Sequence, residues 1–192
     1  MKKIIGQLML ASLLMVTAAS AHATLFTIDA FNNSAAGTGA ELNTGISLTL
    51  GETFTVTVSP TDLWSAGALP RWSNADGLVG NLFATGSDES GQTAGTQIGT
   101  NFGLLNQNSF SAPFGALVGN LSGTYFLLGT NFSGSAPATG TLKLVYWDSN
   151  NFDNSGSVVA NVQVQSVPEP ITLGLLGLGL AGLSFSRRRQ SH

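Results

Sequence analysis

Short runs of alternating polar and apolar residues recur along the middle of the chain. In residues 53–58, Thr alternates with Phe and Val, and Ile46, Leu48 and Leu50 alternate just before them. A period of two is typical of a strand with one buried face. Further runs lie at residues 125–128, 142–146 and 160–164. Clusters of Gly, Asn, Ser and Thr separate them, and together these features predict an all-β fold, an antiparallel β-sandwich or jelly roll.

Two longer stretches lack this alternation. Residues 63–77 contain two tryptophans, and residues 85–100 are rich in Gly, Ser and Thr and include Asp88 and Glu89. Turn-forming residues of these types dominate surface connections. We therefore predict two long surface loops.

The N-terminus has the pattern of a secretory signal. Lys2 and Lys3 precede an apolar run at residues 4–16, and Ala21 and Ala23 supply small residues at the two positions that signal peptidase reads. The pattern predicts a signal peptide over residues 1–23, cut after Ala23, with Ala21 as a second cleavage site and an uncleaved anchor as the alternative. The predicted mature β-sandwich domain then spans residues 24–166.

The C-terminus has three consecutive parts. These are Pro168, Glu169 and Pro170, an apolar run at residues 171–185, and Arg187, Arg188 and Arg189. As a helix, the apolar run would extend about 22 Å. This is short for a hydrocarbon core of roughly 30 Å, so it predicts a temporary transmembrane anchor whose arginines stay in the cytoplasm.

This order of parts, over residues 167–189, resembles the PEP-CTERM sorting domain. The resemblance implies recognition by an inner-membrane exosortase and cleavage near Pro168, Glu169 and Pro170. It also implies export, with a transient inner-membrane anchor, to the cell surface or the extracellular matrix.

The charges of the predicted mature domain are few and mostly negative. Nine carboxylates against two bases, Arg71 and Lys143, leave a net charge of −7. This balance argues against a nucleic-acid partner, which needs clustered basic residues. It favours cations such as Ca²⁺.

The domain contains neither cysteine nor histidine. Both histidines of the chain, His22 and His192, lie in its predicted terminal segments. Ser-His-Asp and Cys-His catalysis and His or Cys zinc sites are therefore excluded. The remaining catalytic candidate is the acid pair Asp88-Glu89, but adjacent acids in a polar loop are usually solvated, so we predict that the protein is not an enzyme.

One polar segment between two predicted strands is rich in oxygen ligands. It contains Asp148, Asn150, Asn151, Asp153 and Asn154. Carboxylates, side-chain amides and loop carbonyls are the ligands that Ca²⁺ prefers. The EF-hand pattern fails here, because an apolar residue stands at its fifth position. The segment is either a calcium loop or a polar hairpin loop whose side chains cap turns.

Several pieces of the domain, in order, resemble the PA-IL-type galactophilic lectins and their galactose-binding-like relatives. These pieces are residues 44–51, 64–72, 115–119 and 146–164. The resemblance implies one Ca²⁺ whose coordination is completed by vicinal sugar hydroxyls. The implied ligands are Asp148, Asp153, Asn154 and carbonyls near Asn150 and Ala66.

The sugar-contacting part of that resemblance is incomplete. The lectins place a histidine and a glutamine in the loop after the second tryptophan, which here is residues 73–77 and has no histidine. Trp72 and Asp76 remain as ligand-binding candidates, and Trp64 and Trp147 are further candidates for stacking on a sugar ring.

Two functions are therefore expected. The first is an exported, calcium-dependent carbohydrate-binding module at the cell surface or in the exopolysaccharide matrix. The alternative is a structural matrix or biofilm protein without a specific ligand. An enzyme acting on glycans through Asp88 and Glu89 is the third hypothesis.

Overall fold

The computed structural model describes residues 22–165. Most of the predicted signal peptide, the predicted membrane helix at residues 171–185, and the sorting residues Pro168, Glu169, Pro170, Arg187, Arg188 and Arg189 lie outside the described residues. Among residues 22–165, no helix has the length and apolar character needed to cross a membrane.

The described residues form an all-β unit. Its strands are β1 (His22–Asp29), β2 (Leu42–Leu48), β3 (Thr53–Val58), β4 (Trp64–Ser65), β5 (Trp72–Ser73), β6 (Leu82–Phe83), β7 (Gln97–Gly99), β8 (Leu104–Gln107), β9 (Phe110–Pro113), β10 (Ala116–Leu121), β11 (Thr124–Leu127), β12 (Asn131–Ser135), β13 (Gly140–Trp147) and β14 (Ser155–Val164). Each paired set of these strands is antiparallel.

Two sheets form the body of the domain. The first has the order β12-β3-β14-β4-β5, with β1 also paired to β14, and the second has the order β11-β10-β13-β2. β6-β7 and β8-β9 are separate hairpins. The predicted antiparallel sandwich is confirmed.

The main core lies between the two sheets. Phe54 and Val162 from the first sheet are fully buried in the same cluster as Leu117 and Leu144 from the second. These side chains come from alternate positions of their strands, so the period of two in the sequence corresponds to the face that each strand buries.

The second sheet is covered on its other face as well. Val118, Val145 and Trp147 form a separate buried cluster against Leu105 and Phe110 of the β8-β9 hairpin. All six residues of β10 are buried for this reason. A strand covered on both faces loses the alternation that would reveal it in the sequence.

The region between β3 and β6 is less loop-like than predicted. β4 pairs with the start of β14 and β5 pairs with β4, so residues 64–65 and 72–73 extend the first sheet. Leu63, Trp64 and Ala75 are buried. The predicted surface loop at residues 63–77 was therefore wrong in part, and the predicted loop at residues 85–100 ends in β7.

Candidate functional site

The candidate calcium loop, residues 148–154, connects β13 to β14 and is anchored by Asn151. The Asn151 side chain is fully buried. Its Nδ2 donates to the Phe31 carbonyl at 2.9 Å and to Thr38 Oγ1 at 3.1 Å, and its Oδ1 accepts from the Thr38 amide at 3.2 Å. Both polar atoms of the Asn151 side chain therefore hydrogen-bond to the segment after β1, and these bonds hold the loop in position.

Two side-chain oxygens of this loop are buried without hydrogen-bond partners. Asp148 is 3% exposed, and its Oδ1 accepts from the Ser149 amide at 2.7 Å, while Oδ2 has no partner. Asn154 donates through Nδ2 to the carbonyls of Ala30 at 3.1 Å and Asn150 at 3.2 Å, which leaves Oδ1 without a partner. A buried polar atom left unsatisfied costs about 1–3 kcal/mol.

The electrostatic environment of Asp148 disfavours its charge. Burial raises the pKa of its carboxyl, and the nearby negative charge of Asp153 acts in the same direction. The Ser149 amide, the Asn154 side-chain amide and the positive charge of Arg71 oppose these effects only in part. The positive charge near Asp148 therefore does not compensate for the burial of its carboxylate.

Asp153 and the Ala66 carbonyl meet at the neighbouring loop between β4 and β5. Arg71 Nη1 lies 3.3 Å from Asp153 Oδ2 and 3.4 Å from the Ala66 carbonyl oxygen. Gly67 has a φ of +118°, and a Cβ there would stand 2.2 Å from Asp153 Oδ2. Glycine at position 67 is therefore what lets the carboxylate approach this backbone.

The donor set agrees with the chemistry of Ca²⁺. Two carboxylates, the Asn154 amide oxygen and the carbonyls of Ala66 and Asn150 are all hard oxygen ligands. The two orphaned oxygens are the atoms that a bound cation would satisfy. Within residues 22–165 there is no cluster of three or more His, Cys, Asp or Glu that could hold a metal. A site here therefore depends on amide and carbonyl oxygens in addition to its two carboxylates.

A cavity of about 260 Å³ opens beside these candidate ligands. Ala66, Asp148 and Asn150 contribute to its wall, together with the aromatic side chains of Phe102 and Phe114. The sequence did not point to the two phenylalanines, because they come from segments with no alternating pattern or polar motif. Only the fold brings them to the candidate calcium loop.

The tryptophan candidates for sugar stacking are placed differently from one another. Trp64 and Trp147 are completely buried, so the expectation that they offer a face to a sugar ring is wrong. Trp64 Nε1 donates to the Gly115 carbonyl at 2.9 Å, and Trp147 Nε1 donates to the Leu105 carbonyl at 3.0 Å. Trp72 is half-buried against the cluster of Leu63, Ala84 and Ile98 and does not line the cavity.

Asp76, the other ligand-binding candidate, is engaged in a structural contact. Its Oδ1 accepts from the Thr130 amide at 2.7 Å and from Thr130 Oγ1 at 2.9 Å. The Asp76 carboxylate thereby connects the segment after β5 to the turn before β12. It does not line the cavity beside Asp148.

We expect Asp76→Asn to lower the free energy of unfolding by about 1–2 kcal/mol, because an amide accepts these two bonds more weakly than a carboxylate. Denaturant unfolding measures the loss, and calcium calorimetry should be unchanged. A loss of calcium or sugar binding without loss of stability would show instead that Asp76 contacts a ligand.

Asp88, the first acid of the pair Asp88-Glu89, has the geometry of a turn cap. Asp88 accepts hydrogen bonds from Ser90 and from the amide and hydroxyl of Thr85. The bond from the Ser90 hydroxyl, followed by that from the Thr85 amide, lowers the pKa of Asp88 well below its usual range. A general acid needs a raised pKa, so this environment is unsuited to acid catalysis.

Comparisons with known proteins bear on the two parts of the chain separately. Among solved structures, the N-terminal domain of EclA, described as a PllA-like lectin, is similar at 23% identity and a TM-score of 0.47, covering 74% of this chain and 95% of that chain. The search of curated proteins gives no match. The PEP-CTERM protein-sorting motif matches residues 166–189. The chain is thus an exported protein that carries a C-terminal PEP-CTERM sorting signal.

Proposed function

We propose that the domain at residues 24–166 is a non-catalytic, calcium-dependent carbohydrate-binding module. The observation that carries this proposal is the pair of buried, unpartnered oxygens, Asp148 Oδ2 and Asn154 Oδ1, in one loop. Native proteins pair nearly all buried polar atoms, so two such oxygens in one oxygen-rich loop support the proposal of a bound cation.

The chain's own residues would each have a defined part in holding Ca²⁺. Asp148, held by the Ser149 amide, and Asn154, held by Ala30 and Asn150, are fixed in position before the ion arrives. Asp153 and the Ala66 carbonyl would close the site from the neighbouring loop. The bound ion supplies open coordination positions for vicinal hydroxyls, since Ca²⁺ takes six to eight oxygens.

The cavity supports a sugar as the ligand. Sugar rings have apolar faces and polar edges, and the cavity beside Asp148 combines the rings of Phe102 and Phe114 with polar loop atoms. Phe102 is 42% exposed, so the part of its ring that Arg71 does not cover is accessible. Exosortase processing at residues 168–170, after removal of the signal by signal peptidase, would deliver the module to the cell surface or the exopolysaccharide matrix.

Calcium alone should stabilise the protein measurably. At a free Ca²⁺ concentration 100 times Kd, mass action adds about 2.7 kcal/mol to the free energy of unfolding. Titration calorimetry and thermal melting of the processed protein, in Ca²⁺ and in EDTA, measure this. Absence of both heat and a Tm shift would remove the proposal.

The alternative is a structural matrix protein with the same sandwich and no specific ligand. A glycan array probed with and without Ca²⁺ separates the two functions. Calcium-dependent binding to a defined set of glycans supports the module, whereas an array without binding under either condition supports the structural role.

A further inference from the structure

Arg71 is the less firmly held of the two Lys and Arg side chains within residues 22–165. Lys143 Nζ lies 3.0 Å from Glu41, whose carboxylate also accepts from Asn120 and Tyr125. Arg71 contacts Asp153 and the Ala66 carbonyl at 3.3 and 3.4 Å, longer than the 2.7–2.9 Å typical of charge-assisted bonds. Its side chain is 40% exposed.

The contacts of Arg71 are two atoms of the candidate calcium site. Asp153 Oδ2 and the Ala66 carbonyl oxygen are both oxygens that Ca²⁺ would bind at about 2.3–2.6 Å. A guanidinium and a divalent cation repel each other, so they compete for these oxygens. Arg71 therefore occupies one side of the candidate calcium site, where its positive charge partly takes the place of the ion.

Arg71 lines the cavity and contacts Phe102 at the same time as Asp153 and Ala66. Its guanidinium carbon lies 5.4 Å from the centre of the Phe102 ring, within the range of a cation–π contact. Phe102 is supported in turn by an edge-to-face contact with Phe114 at 6.4 Å. The Phe102 contact would keep the guanidinium at the cavity if its contact with Asp153 were lost, so its donors would become available there.

We propose that calcium binding releases Arg71 from Asp153 and Ala66 and makes its guanidinium the recognition group for the carboxylate of an acidic sugar, a hexuronate unit of a polysaccharide. This inference rests on the proposed calcium-dependent function and names the ligand class of that site.

The charges at the candidate calcium site make this recognition depend on calcium. Asp148 and Arg71 line the cavity, and Asp153 is paired with Arg71. Together the three side chains carry a net charge of −1, which repels an anion. Addition of Ca²⁺ changes the sum to +1, with Arg71 no longer neutralised by Asp153. Thermodynamic linkage is reciprocal. If calcium lowers the Kd for an acidic sugar by a given factor, the acidic sugar must lower the Kd for calcium by the same factor.

The chemistry of the guanidinium selects a carboxylate in particular. Its planar donors match the two carboxylate oxygens in a bidentate pair, while the sugar hydroxyls are left for the ion. A neutral sugar would use the hydroxyl contacts alone and would leave Arg71 unpaired.

The first test measures calcium affinity without any sugar. If Arg71 competes with the ion, Arg71→Gln should lower the calcium Kd of the processed protein by about threefold to tenfold. Lys143→Gln removes the same charge away from the site and should leave Kd within about twofold. Equal Kd values for wild type and Arg71→Gln would overturn the competition.

The second test uses methyl galactopyranosiduronate and its carboxyl methyl ester, which differ only in the charged group. In Ca²⁺, the acid should bind wild type about tenfold more tightly than the ester, as expected for one charge-assisted pair. Arg71→Gln should abolish this difference, Lys143→Gln should keep it, and EDTA should abolish binding of both. NMR titration of the protein measures all of these affinities.

The outcomes separate this inference from the proposed function. If the protein binds no calcium, the proposed function fails. If calcium binds and the acid and ester bind equally, or Arg71→Gln preserves their difference, the calcium site stands and the role of Arg71 is overturned. A 6-sulfated galactoside that binds as tightly as the acid would overturn the assignment to carboxylates.

Discussion

Asp148→Asn should raise the stability of the calcium-free protein and at the same time abolish its response to calcium. The substitution removes a buried charge whose Oδ2 has no partner, so we expect a gain of about 1–3 kcal/mol in EDTA. Loss of a carboxylate ligand should weaken calcium binding by roughly a hundredfold. Denaturant unfolding in EDTA and calorimetry with Ca²⁺ measure the two effects.

Asp153→Asn is the matched comparison. Its carboxylate is 47% exposed and paired with Arg71, so its removal should change the stability in EDTA by less than about 1 kcal/mol while still weakening calcium binding. If Asp148→Asn destabilises the calcium-free protein as an ordinary buried-residue change does, the interpretation of Asp148 as an uncompensated charge is wrong.

The gain from Asp148→Asn should depend on pH in a defined direction. The folded state raises the pKa of Asp148 above its ordinary value of 3.8. A raised pKa stabilises the folded state at low pH, and this contribution is lost as pH rises through the folded-state pKa. The stability difference between the variant and wild type in EDTA should therefore be smallest below pH 3.8 and grow as pH rises.

Replacing Pro168, Glu169 and Pro170 with Ala should leave the protein uncut in the inner membrane of an exosortase-containing host. These residues lie within the matched sorting motif, at the predicted cleavage site. Three arginines follow the apolar run, and each costs about 2.5–3.5 kcal/mol at the bilayer centre, so they should hold the chain in place. Cell fractionation and the mass of the tagged product measure the result.

The control for this variant replaces Gln190, Ser191 and His192 with Ala, beyond the matched residues 166–189. It should be shortened and released like wild type. Replacing Arg187, Arg188 and Arg189 with Asn should weaken retention and lower the cleaved fraction. Normal shortening and release of the Ala variant at residues 168–170 would mean that the segment does not direct sorting.

Strands whose apolar residues alternate with polar ones could be predicted from the sequence, and strands without that alternation could not. Residues 53–58 coincide with β3, and the runs at 142–146 and 160–164 lie inside β13 and β14. β10 was not predicted as a strand, because the hairpin over its outer face removes any need for polar positions. β1 was missed because it directly follows the apolar signal segment.

The candidate site was predictable only where its residues are close in sequence. Asp148, Asp153 and Asn154 lie within seven positions, and their oxygen chemistry is evident without a fold. Arg71 and Phe102 reach the same cavity through contacts across β4, β5 and the loop after β7. No local pattern in the sequence indicates a contact between residues that are so far apart along the chain. For the same reason the sequence could not show that the Asp76 carboxylate is engaged by Thr130.

The pairing of β1 with β14 brings the two ends of the domain together. His22 lies opposite Val164 and Asp29 lies opposite Ser157, so the first strand finds its partner only in the last segment of the domain. The first sheet is therefore complete only when residues 157–164 are present. The predicted cut after Ala23 falls inside the paired part of β1, and pairing would shield that bond from a protease, which acts on an extended and unpaired chain. We therefore expect the signal to be removed before β1 and β14 pair.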